Sequence, residues 1–503
     1  MKLSRHVALF GKKYEVYISY LMLFVILAVA AYLRFMNFPL RYGFDFDPTR
    51  DALIVAQGAK HLTFPLIGPK SGIGPFAFGP WYYYELILFK LVFPNPFSPW
   101  IFIGMMSVVT VGIMYLIGKE LEGKWFGLLL ALLTAFSPEQ IGPVDGLSNP
   151  NLIPLHATIT VLLFIYYIKT QNRRWYVWMF WGLMFGIGIN HHYQMILLTP
   201  LPVLAFLYKR NKRAIGDSLL FLGGLATSFI PLFIYNIQNH WKTLTGSLFY
   251  LTTSHNATYI PNRWLFYVRD FWMYFISMLA GVPKAFAACL IALTFVVFAY
   301  LAIKRKLTPV YIFLIVTFLL DFVFLRYFAV RKELYYFLFI HPFLFIFFGF
   351  ALWQTGKIKL GKIAVTLLLL AMLPFVWQQD NQRSWTNQYN VLYYNDAKVL
   401  ENAFPGQQIA IFGCAKNSLN ALSYPQGVAF FLDNDNRLSD TGIPVALPTF
   451  ECTKEMLSDS HIEYSTLPGN IGIQLKNPNL TALQVLFWQP VSPATVYSQT
   501  FSQ

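Results

Sequence analysis

The chain has 503 residues, of which 56% are hydrophobic and only 12% are charged, and its formal net charge is +15. The mean hydropathy of +0.49 excludes a soluble globular protein, which needs far more charge on its surface. In a membrane protein, positive charge is expected in the loops on one side, so no nucleic-acid partner is predicted. The three cysteines, Cys289, Cys414 and Cys452, exclude a disulfide-rich scaffold and a CxxC metal site.

Apolar segments long enough to cross a bilayer as helices recur along the chain. They predict about eleven transmembrane helices, over residues 17–37, 100–118, 125–138, 152–168, 175–189, 193–208, 215–236, 284–303, 308–328, 333–353 and 360–378. The first segment also resembles a signal peptide, with "AVA" at 28–30 in the place of a cleavage site. Its apolar core is longer than the usual 7–15 residues, which favours a retained span.

The distribution of lysine and arginine predicts the orientation of these spans. Short basic loops between alternate pairs of spans, with the first 16 residues, hold half of the 38 lysines and arginines, whereas the loops at 138–150 and 190–192 hold none. A crossing at 79–93, "GPWYYYELILFKLVF", would move the later basic loops outside, so this short segment is predicted to be an interfacial helix on the outer surface. The sequence therefore predicts a multi-pass protein of the cell (inner) membrane, with a cytoplasmic N-terminus.

Residues 1–378 are thus predicted to form a transmembrane domain, and residues 379–503 an extracytoplasmic domain. Outer loops are predicted at 38–99, 138–150, 237–283 and 326–332. In the C-terminal part, "QQIAIFGCA" and "GVAFFLD" are typical of short strands and "NDAKVLENAF" of a helix, which indicates a small α/β domain. Cys414 and Cys452 share this domain, and the sequence leaves open whether they pair.

Charge is concentrated in the first outer loop, in the stretch "GFDFDPTRDA" at 43–52. Asp47 followed by proline predicts a helix start, with the aspartate as N-cap, and the helix should extend over about 48–61. Arg50 and Asp51 then lie three and four residues further along, near the same face. One interpretation is that Asp47 only caps the helix while Arg50 pairs with Asp51. Three carboxylates, including Asp45, beside a glycine- and proline-rich loop at a membrane surface favour a functional site.

This stretch resembles the first-loop acidic motif of the GT-C glycosyltransferases, including protein O-mannosyltransferases and lipid A aminoarabinose transferases. In "FDPTRDA", Asp47 stands in the aspartate position, Pro48 stands where many members carry a second acid, and Asp45 is a candidate to supply that charge. Three further segments keep the family order: "GPWYYYEL" with Tyr83, "SPEQIGPVDGLSNPNLIPL" with Asp145 and Asn149, and "GINHHYQMILLTP" with His192. The resemblance covers roughly 17–378.

The resemblance implies that a sugar moves from a polyprenyl-phosphate donor to a glycan, lipid or protein acceptor at the outer surface. The residues suit this chemistry, because the attacking hydroxyl needs a base and the departing phosphate needs cations rather than a general acid. Asp47 is predicted to be the base, with Asp45 and Asp145 as further catalytic candidates. The predicted substrate-binding residues are Arg50, Asp51, Lys70, Tyr83, Asn149, His192, Arg326, Arg331 and Lys332. Inversion at the sugar carbon is expected if no covalent intermediate forms.

Other interpretations remain open at this level. A transporter or flippase of lipid-linked glycans usually shows internal repeats and polar residues at mid-membrane, whereas here polar residues gather at one face. A glycan polymerase or ligase and a non-catalytic scaffold are further alternatives. Arg326, Arg331 and Lys332 can equally be anchors at the level of the lipid headgroups. No cofactor is required; a divalent cation on Asp45, Asp47 and Asp145 is possible in principle, without a ligand spacing that indicates one.

Overall fold

The computed structural model describes residues 2–43, 46–170, 174–209, 212–253, 263–327, 332–384, 389–414, 423–449, 464–467, 473–476 and 488–491. Among the residues singled out in the sequence, Asp45, Arg331 and Cys452 lie outside this part of the chain. Within the described ranges, long helices dominate up to residue 384, and the strands lie in the C-terminal region. The predicted α-helical membrane protein with a small C-terminal sheet domain is thus confirmed.

The described helices of the membrane region are α1 (Lys2–Phe35), α2 (Phe38–Arg41), α3 (Phe46–His61), α4 (Trp81–Val92), α5 (Ser98–Glu122), α6 (Lys124–Ala135), α7 (Pro138–Ile141), α8 (Ile153–Lys169), α9 (Trp175–His191), α10 (Pro200–Lys209), α11 (Lys212–Gln238), α12 (Lys242–Thr253), α13 (Arg263–Leu265), α14 (Trp272–Ala280), α15 (Lys284–Ile303), α16 (Pro309–Tyr327), α17 (His341–Thr355) and α18 (Lys359–Ser384). Short 3-10 turns (Gly142–Asp145, Asn149–Leu152, Tyr193–Leu198, Leu334–Ile340) and a π-helical turn (Phe266–Phe271) connect or extend them.

Eight helical segments of the described residues are long and apolar enough to cross a membrane, or nine if the bent pair Lys124–Ala135 and Pro138–Asp145 forms one span. They coincide with eight of the eleven predicted spans. The other three predictions, 125–138, 175–189 and 193–208, coincide with helices shorter than a full bilayer crossing, α6, α9 and α10. Prolines explain the shortening of α6 and α10, because Pro138 and Pro200 interrupt the apolar runs and start new helices. The segment predicted to be interfacial forms the short helix α4.

Helices α9 and α11 lie in very close contact through glycines. A Cβ on Gly182 would lie 1.8 Å from the Phe221 carbonyl oxygen, and one on Gly224 would lie 1.9 Å from the Met179 carbonyl oxygen. Glycine at these positions lets the two backbones approach each other, as is common between membrane helices. This contact fixes the end of α9, which carries His191.

The adjacent glycines of α11 allow a matched test of this packing. Gly224→Ala is expected to lower the free energy of unfolding by about 1–3 kcal/mol, because the new methyl group overlaps backbone that cannot move away easily. Gly223→Ala is the control, since a Cβ there meets nothing within 4 Å. Thermal unfolding of both variants in detergent measures the difference. Equal melting temperatures would contradict the close approach of the two helices.

The C-terminal region comprises α19 (Tyr389–Ala403), β1 (Ile409–Cys414), α20 (Ser423–Asn434), β2 (Ile443–Ala446), β3 (Tyr464–Thr466), β4 (Ile473–Leu475) and β5 (Trp488–Pro490). These described strands form one sheet in the order β3-β4-β2-β1-β5; the β1–β2 pair is parallel, and the other pairs among them are antiparallel. The predicted helix at "NDAKVLENAF" and strand at "QQIAIFGCA" are confirmed. The strand predicted at "GVAFFLD" is wrong, because this segment lies in α20. A short, fully buried apolar run does not distinguish strand from helix by periodicity.

The C-terminal region packs directly on the first-loop helix α3. The side-chain amide of Gln57 donates to the Asp433 carboxylate of α20 at 3.4 Å, and Lys60 lies 3.9 Å from the same carboxylate. Phe430 packs edge-on against Trp100 at the start of α5, with 5.9 Å between the ring centroids. The first loop and the C-terminal domain therefore lie on the same side of the helical region, as the predicted topology requires. Cys414 at the end of β1 is disulfide-bonded, and Cys289 is free.

Candidate active site

The acidic stretch forms the start of α3. The helix begins at Phe46, so Asp47 lies in its first turn, and the prediction that Asp47 is the N-cap is wrong. The negative charge still suits this position, because the first turn of a helix carries a partial positive charge. The inner face of α3, formed by Ala52, Leu53 and Val55, is fully or almost fully buried against α4 and α20. Burial of this face fixes the helix and leaves the Asp47 side chain 67% exposed.

Arg50 connects the two described carboxylates of the stretch. Its Nη1 donates to Asp47 Oδ1 at 2.5 Å, and its Nε and Nη2 donate to Asp51 Oδ1 at 2.9 and 2.7 Å. The Asp51 side chain is only 2% exposed, in contrast to that of Asp47. The Arg50 guanidinium thus binds the buried Asp51 carboxylate and the accessible Asp47 carboxylate at the same time.

Tyr83 completes this network from α4. Its hydroxyl donates to Asp51 Oδ1 at 2.8 Å. Burial raises the pKa of the Asp51 carboxyl to about 6, and the repulsion of Asp47 adds to the effect, while Arg50 opposes it. The structure therefore brings together four of the predicted site residues, Asp47, Arg50, Asp51 and Tyr83.

The raised pKa of Asp51 predicts a specific dependence of stability on pH. An unfolded aspartate loses its proton near its ordinary pKa, whereas the native carboxyl holds its proton up to about pH 6. The resulting contribution to stability is present below about pH 4 and is lost as the pH rises through 6, by about 3 kcal/mol at most. Asp51→Asn should therefore flatten the thermal stability of the protein between pH 4 and 7. An unchanged pH profile in this variant would contradict the assignment.

The glycine- and proline-rich loop lies beside α3 as a tight antiparallel turn. Lys70 and Ala77 form its isolated bridge, and Ala77 O accepts a hydrogen bond from the Tyr193 hydroxyl at 2.6 Å. A Cβ on Gly79 would overlap the side chain of Asn190, so only glycine allows this close approach. Burial lowers the pKa of Lys70, and the positive charges of Lys242 and Arg50 lower it further. The loop thus places a second cation near Arg50.

His192 packs within the same region. Its ring lies 4.9 Å from that of Phe78 and 5.7 Å from that of Tyr336, measured between centroids. Burial lowers the pKa of His192 to about 4, so the imidazole is neutral at pH 7. A neutral His192 offers a hydrogen bond, but no positive charge, to a phosphate.

Asp145 and Asn149 are occupied by contacts within the protein. The buried Arg41 lies with its Nε 3.3 Å from Asp145 Oδ1, and its Nη2 donates to Asp145 Oδ2 at 3.4 Å. The side chain of Asn149 donates to the His191 carbonyl oxygen at 2.5 Å. The Arg41–Asp145 pair ties the first outer loop to the second. The catalytic role of Asp145 stays a prediction.

Arg326 and Lys332 are the first and last residues of the predicted basic outer loop at 326–332. Arg326 stacks on the rings of Trp264 and Tyr327, at 5.0 and 5.4 Å from their centroids. Burial lowers the pKa of Lys332 to about 7, with further contributions from the positive charges of Arg263 and Arg326. Lys332 precedes Tyr336, which contacts His192, by four residues. A bound anion would relieve the repulsion within this group of cations.

One cluster was not found from the sequence. Glu85, His156 and His191 come from α4, α8 and α9, and their side-chain ligand atoms lie within 4.8 Å of one another. In the described part of the chain this is the one group of three such residues with metal-binding geometry. A glutamate within the apolar segment "WYYYELILF" was a signal, but the partners are more than 70 positions away.

Residues 79–236 match the family model described as dolichyl-phosphate-mannose-protein mannosyltransferase. No curated protein sequence matches the chain. The crystal structure of ArnT from Cupriavidus metallidurans in the apo state is 11% identical, with a TM-score of 0.59 over 90% of this chain and 97% of that one. ArnT bound to undecaprenyl phosphate gives a TM-score of 0.58 at 10% identity, over the same shares of both chains.

The archaeal oligosaccharyltransferase AglB from Archaeoglobus fulgidus, in complex with an inhibitory peptide and a dolichol-phosphate, is also similar. It is 11% identical, with a TM-score of 0.52 over 97% of this chain and 77% of that one. At these identities the likeness is one of fold, and it extends into the C-terminal region that the sequence motifs did not cover. Together with the family match over 79–236, it confirms the resemblance seen in the motifs: the chain has the fold of the GT-C superfamily of membrane glycosyltransferases.

Proposed function

We propose that the protein transfers a sugar from a polyprenyl-phosphate donor to an acceptor at the extracytoplasmic face of the membrane. The observation that carries the proposal is the accessible Asp47 carboxylate, which is held by Arg50 against the buried Asp51. Similar proteins bind undecaprenyl phosphate or dolichol-phosphate, which supports a lipid phosphate as the carrier.

In the proposed reaction, an acceptor hydroxyl attacks the anomeric carbon of the sugar. The new C–O bond forms as the bond to the phosphate oxygen breaks, and the electron pair of that bond leaves with the lipid phosphate. Asp47 accepts the proton of the hydroxyl, and direct displacement inverts the anomeric carbon. Asp45 and Asp145 are the further candidates for this role. The acceptor is a glycan, a lipid or a protein.

The departing phosphate needs positive charge rather than a proton. Two groups of cations are available, Lys70 with Lys242 near Arg50, and Lys332 with Arg263 and Arg326. We assign the phosphate to the second group, with Arg331 as its neighbour in sequence, because Lys332 is held close to two further cations, Arg263 and Arg326, and an anion there would also offset its burial. Lys70 and His192 are assigned as additional contacts of the bound donor.

The extracytoplasmic assignment is supported by two observations. The C-terminal domain packs on α3, so both lie on one side of the membrane region. Cys414 in that domain is disulfide-bonded, and disulfides persist in oxidising compartments outside the cytoplasm. The basic loops, by contrast, follow the positive-inside rule on the opposite side.

The experiment is a transfer assay with purified protein and a panel of polyprenyl-phosphate sugars. One donor should be consumed, and Lys332→Ala should raise its KM by about 10-fold or more, because a charge-assisted contact to phosphate is lost. Lys304→Ala, an exposed lysine of a basic loop, is the control. If the protein instead moves the intact donor across the proteoliposome membrane and no sugar is transferred, the proposal is wrong and the protein is a flippase.

A further inference from the structure

Glu85, His156 and His191 form a cluster next to the Asp51–Tyr83 network, because Glu85 follows Tyr83 by two residues on α4. Glu85 Oε1 lies 3.4 Å from His191 Nε2 and 3.6 Å from His156 Nε2. The two imidazoles are almost completely buried, with side chains 0% and 3% exposed, whereas that of Glu85 is 21% exposed. Glu85 is therefore the least buried member of the cluster.

A local hydrogen bond fixes how the His156 imidazole faces the carboxylate. His156 Nδ1 lies 3.0 Å from the Leu152 carbonyl oxygen, which can only accept, so Nδ1 carries the hydrogen. In the neutral ring, Nε2 then directs its lone pair toward Glu85. This arrangement, in which a backbone carbonyl orients the ring through its second nitrogen, is typical of metal-binding histidines.

His191 gives an independent indication. The ring is completely buried, its Nδ1 has no hydrogen-bond partner among the described residues, and its Nε2 has only the Glu85 carboxylate, at 3.4 Å. A buried polar group without a partner costs about 1–3 kcal/mol, and such groups are rare in folded proteins. A cation between Nε2 and Glu85 would replace their long contact by two bonds of about 2.0–2.1 Å. It would also separate the His156 lone pair from the carboxylate.

The two distances from Glu85 suit a tetrahedral ion, and the ligand atoms of the three residues all lie within 4.8 Å of one another. Bonds of about 2.0–2.1 Å to nitrogen and oxygen place neighbouring ligand atoms of a tetrahedron about 3.3–3.4 Å apart. The two distances from Glu85 are close to this value. Two imidazoles and one carboxylate form a donor set that zinc uses, with a water as the usual fourth ligand.

We propose that Glu85, His156 and His191 bind a divalent transition-metal ion, zinc by its donor chemistry, that joins α4 to α8 and α9. The ion ties the short helix α4 to two longer helices. Tyr83 lies two residues before Glu85 on α4 and donates to Asp51, so the ion positions this hydroxyl without touching the substrate. The inference goes beyond the proposed function and does not depend on sugar transfer.

The test measures the metal itself. Wild-type protein, purified in detergent without chelator, should contain about one zinc ion per chain, and X-ray absorption should show nitrogen and oxygen ligands at about 2.0–2.1 Å. Glu85→Gln and His191→Gln should each lose about 10-fold or more in affinity for added zinc. His341→Gln is the matched control, because His341 is equally buried but bonded to Gln140.

The main alternative is a shared proton, with one imidazolium paired to Glu85. Wild-type protein that takes up no zinc from excess zinc salt, with natural metal also absent, would overturn the proposal in favour of that pair. Sulfur ligands in the absorption spectrum, or equal zinc affinity in Glu85→Gln, would overturn it as well. The measurement on wild-type protein keeps the test decisive even if a variant does not fold.

Discussion

The Asp47→Asn variant is expected to transfer sugar about 10²-fold more slowly than wild type, or worse, because general-base catalysis contributes roughly that factor. Asparagine keeps the shape of the side chain and still accepts a hydrogen bond from Arg50. It cannot take a proton from the acceptor hydroxyl. The side chain is mostly exposed, so folding and expression should change little. Initial rates with one accepted donor, at equal amounts of folded protein, measure the effect.

A second aspartate provides the control for this variant. Asp435 also has an exposed carboxylate, and it pairs with Lys398 at 2.7 Å in the C-terminal domain. Asp435 follows Asp433, which contacts Lys60 in the last turn of α3, whereas Asp47 lies in the first turn. Asp435→Asn therefore removes the same charge away from Asp47 and should leave the rate unchanged. Equal rates for wild type and Asp47→Asn would return Asp47 to a structural role at the helix start. The catalytic assignment would then pass to Asp45 or Asp145.

The parts of the site that the sequence predicted are those built from local contacts. Asp47, Arg50 and Asp51 lie within five residues of one another, and helical geometry alone places them close together. The apolar lengths of the spans and the distribution of basic loops are similarly local signals. Even here the predicted helix start at 48 differs by two residues from the observed start at Phe46, because helix ends fray and have no sharp boundary.

The parts that the sequence did not predict depend on contacts between distant segments. Arg41 reaches Asp145 over 104 positions, and His191 of α9 meets Glu85 of α4 from a distant part of the chain. No periodicity or motif encodes such pairs. The strand predicted at "GVAFFLD" failed for the same reason, because burial of the α20 segment beneath α3 and Trp100 decides its conformation. Tertiary packing determined these features.

The Arg50→Ala variant is expected to lose both activity and stability. Arg50 is the cation of the pair with Asp51, whose side chain is only 2% exposed. Removing one partner of a buried ion pair costs about 3–5 kcal/mol, because the other charge then remains buried with no opposite charge, although it keeps the hydrogen bond from Tyr83. Asp47 loses the contact that orients it, so transfer should fall by about 10²-fold or more, as when the base itself is removed. Arg50→Lys should recover only part of the rate, since an ammonium cannot contact both carboxylates as the planar fork does.

The double variant Arg50→Met/Asp51→Leu separates the two effects. Without a buried charge, the apolar pair should unfold at a temperature close to that of wild type, because well-packed apolar residues often replace buried ion pairs at no cost. Its transfer rate should stay as low as that of Arg50→Ala, because Asp47 is still unsupported. Recovery of the rate together with stability would mean that Arg50 acts only through the fold. A low rate in a stable protein would instead assign Arg50 the role of positioning Asp47 for proton transfer.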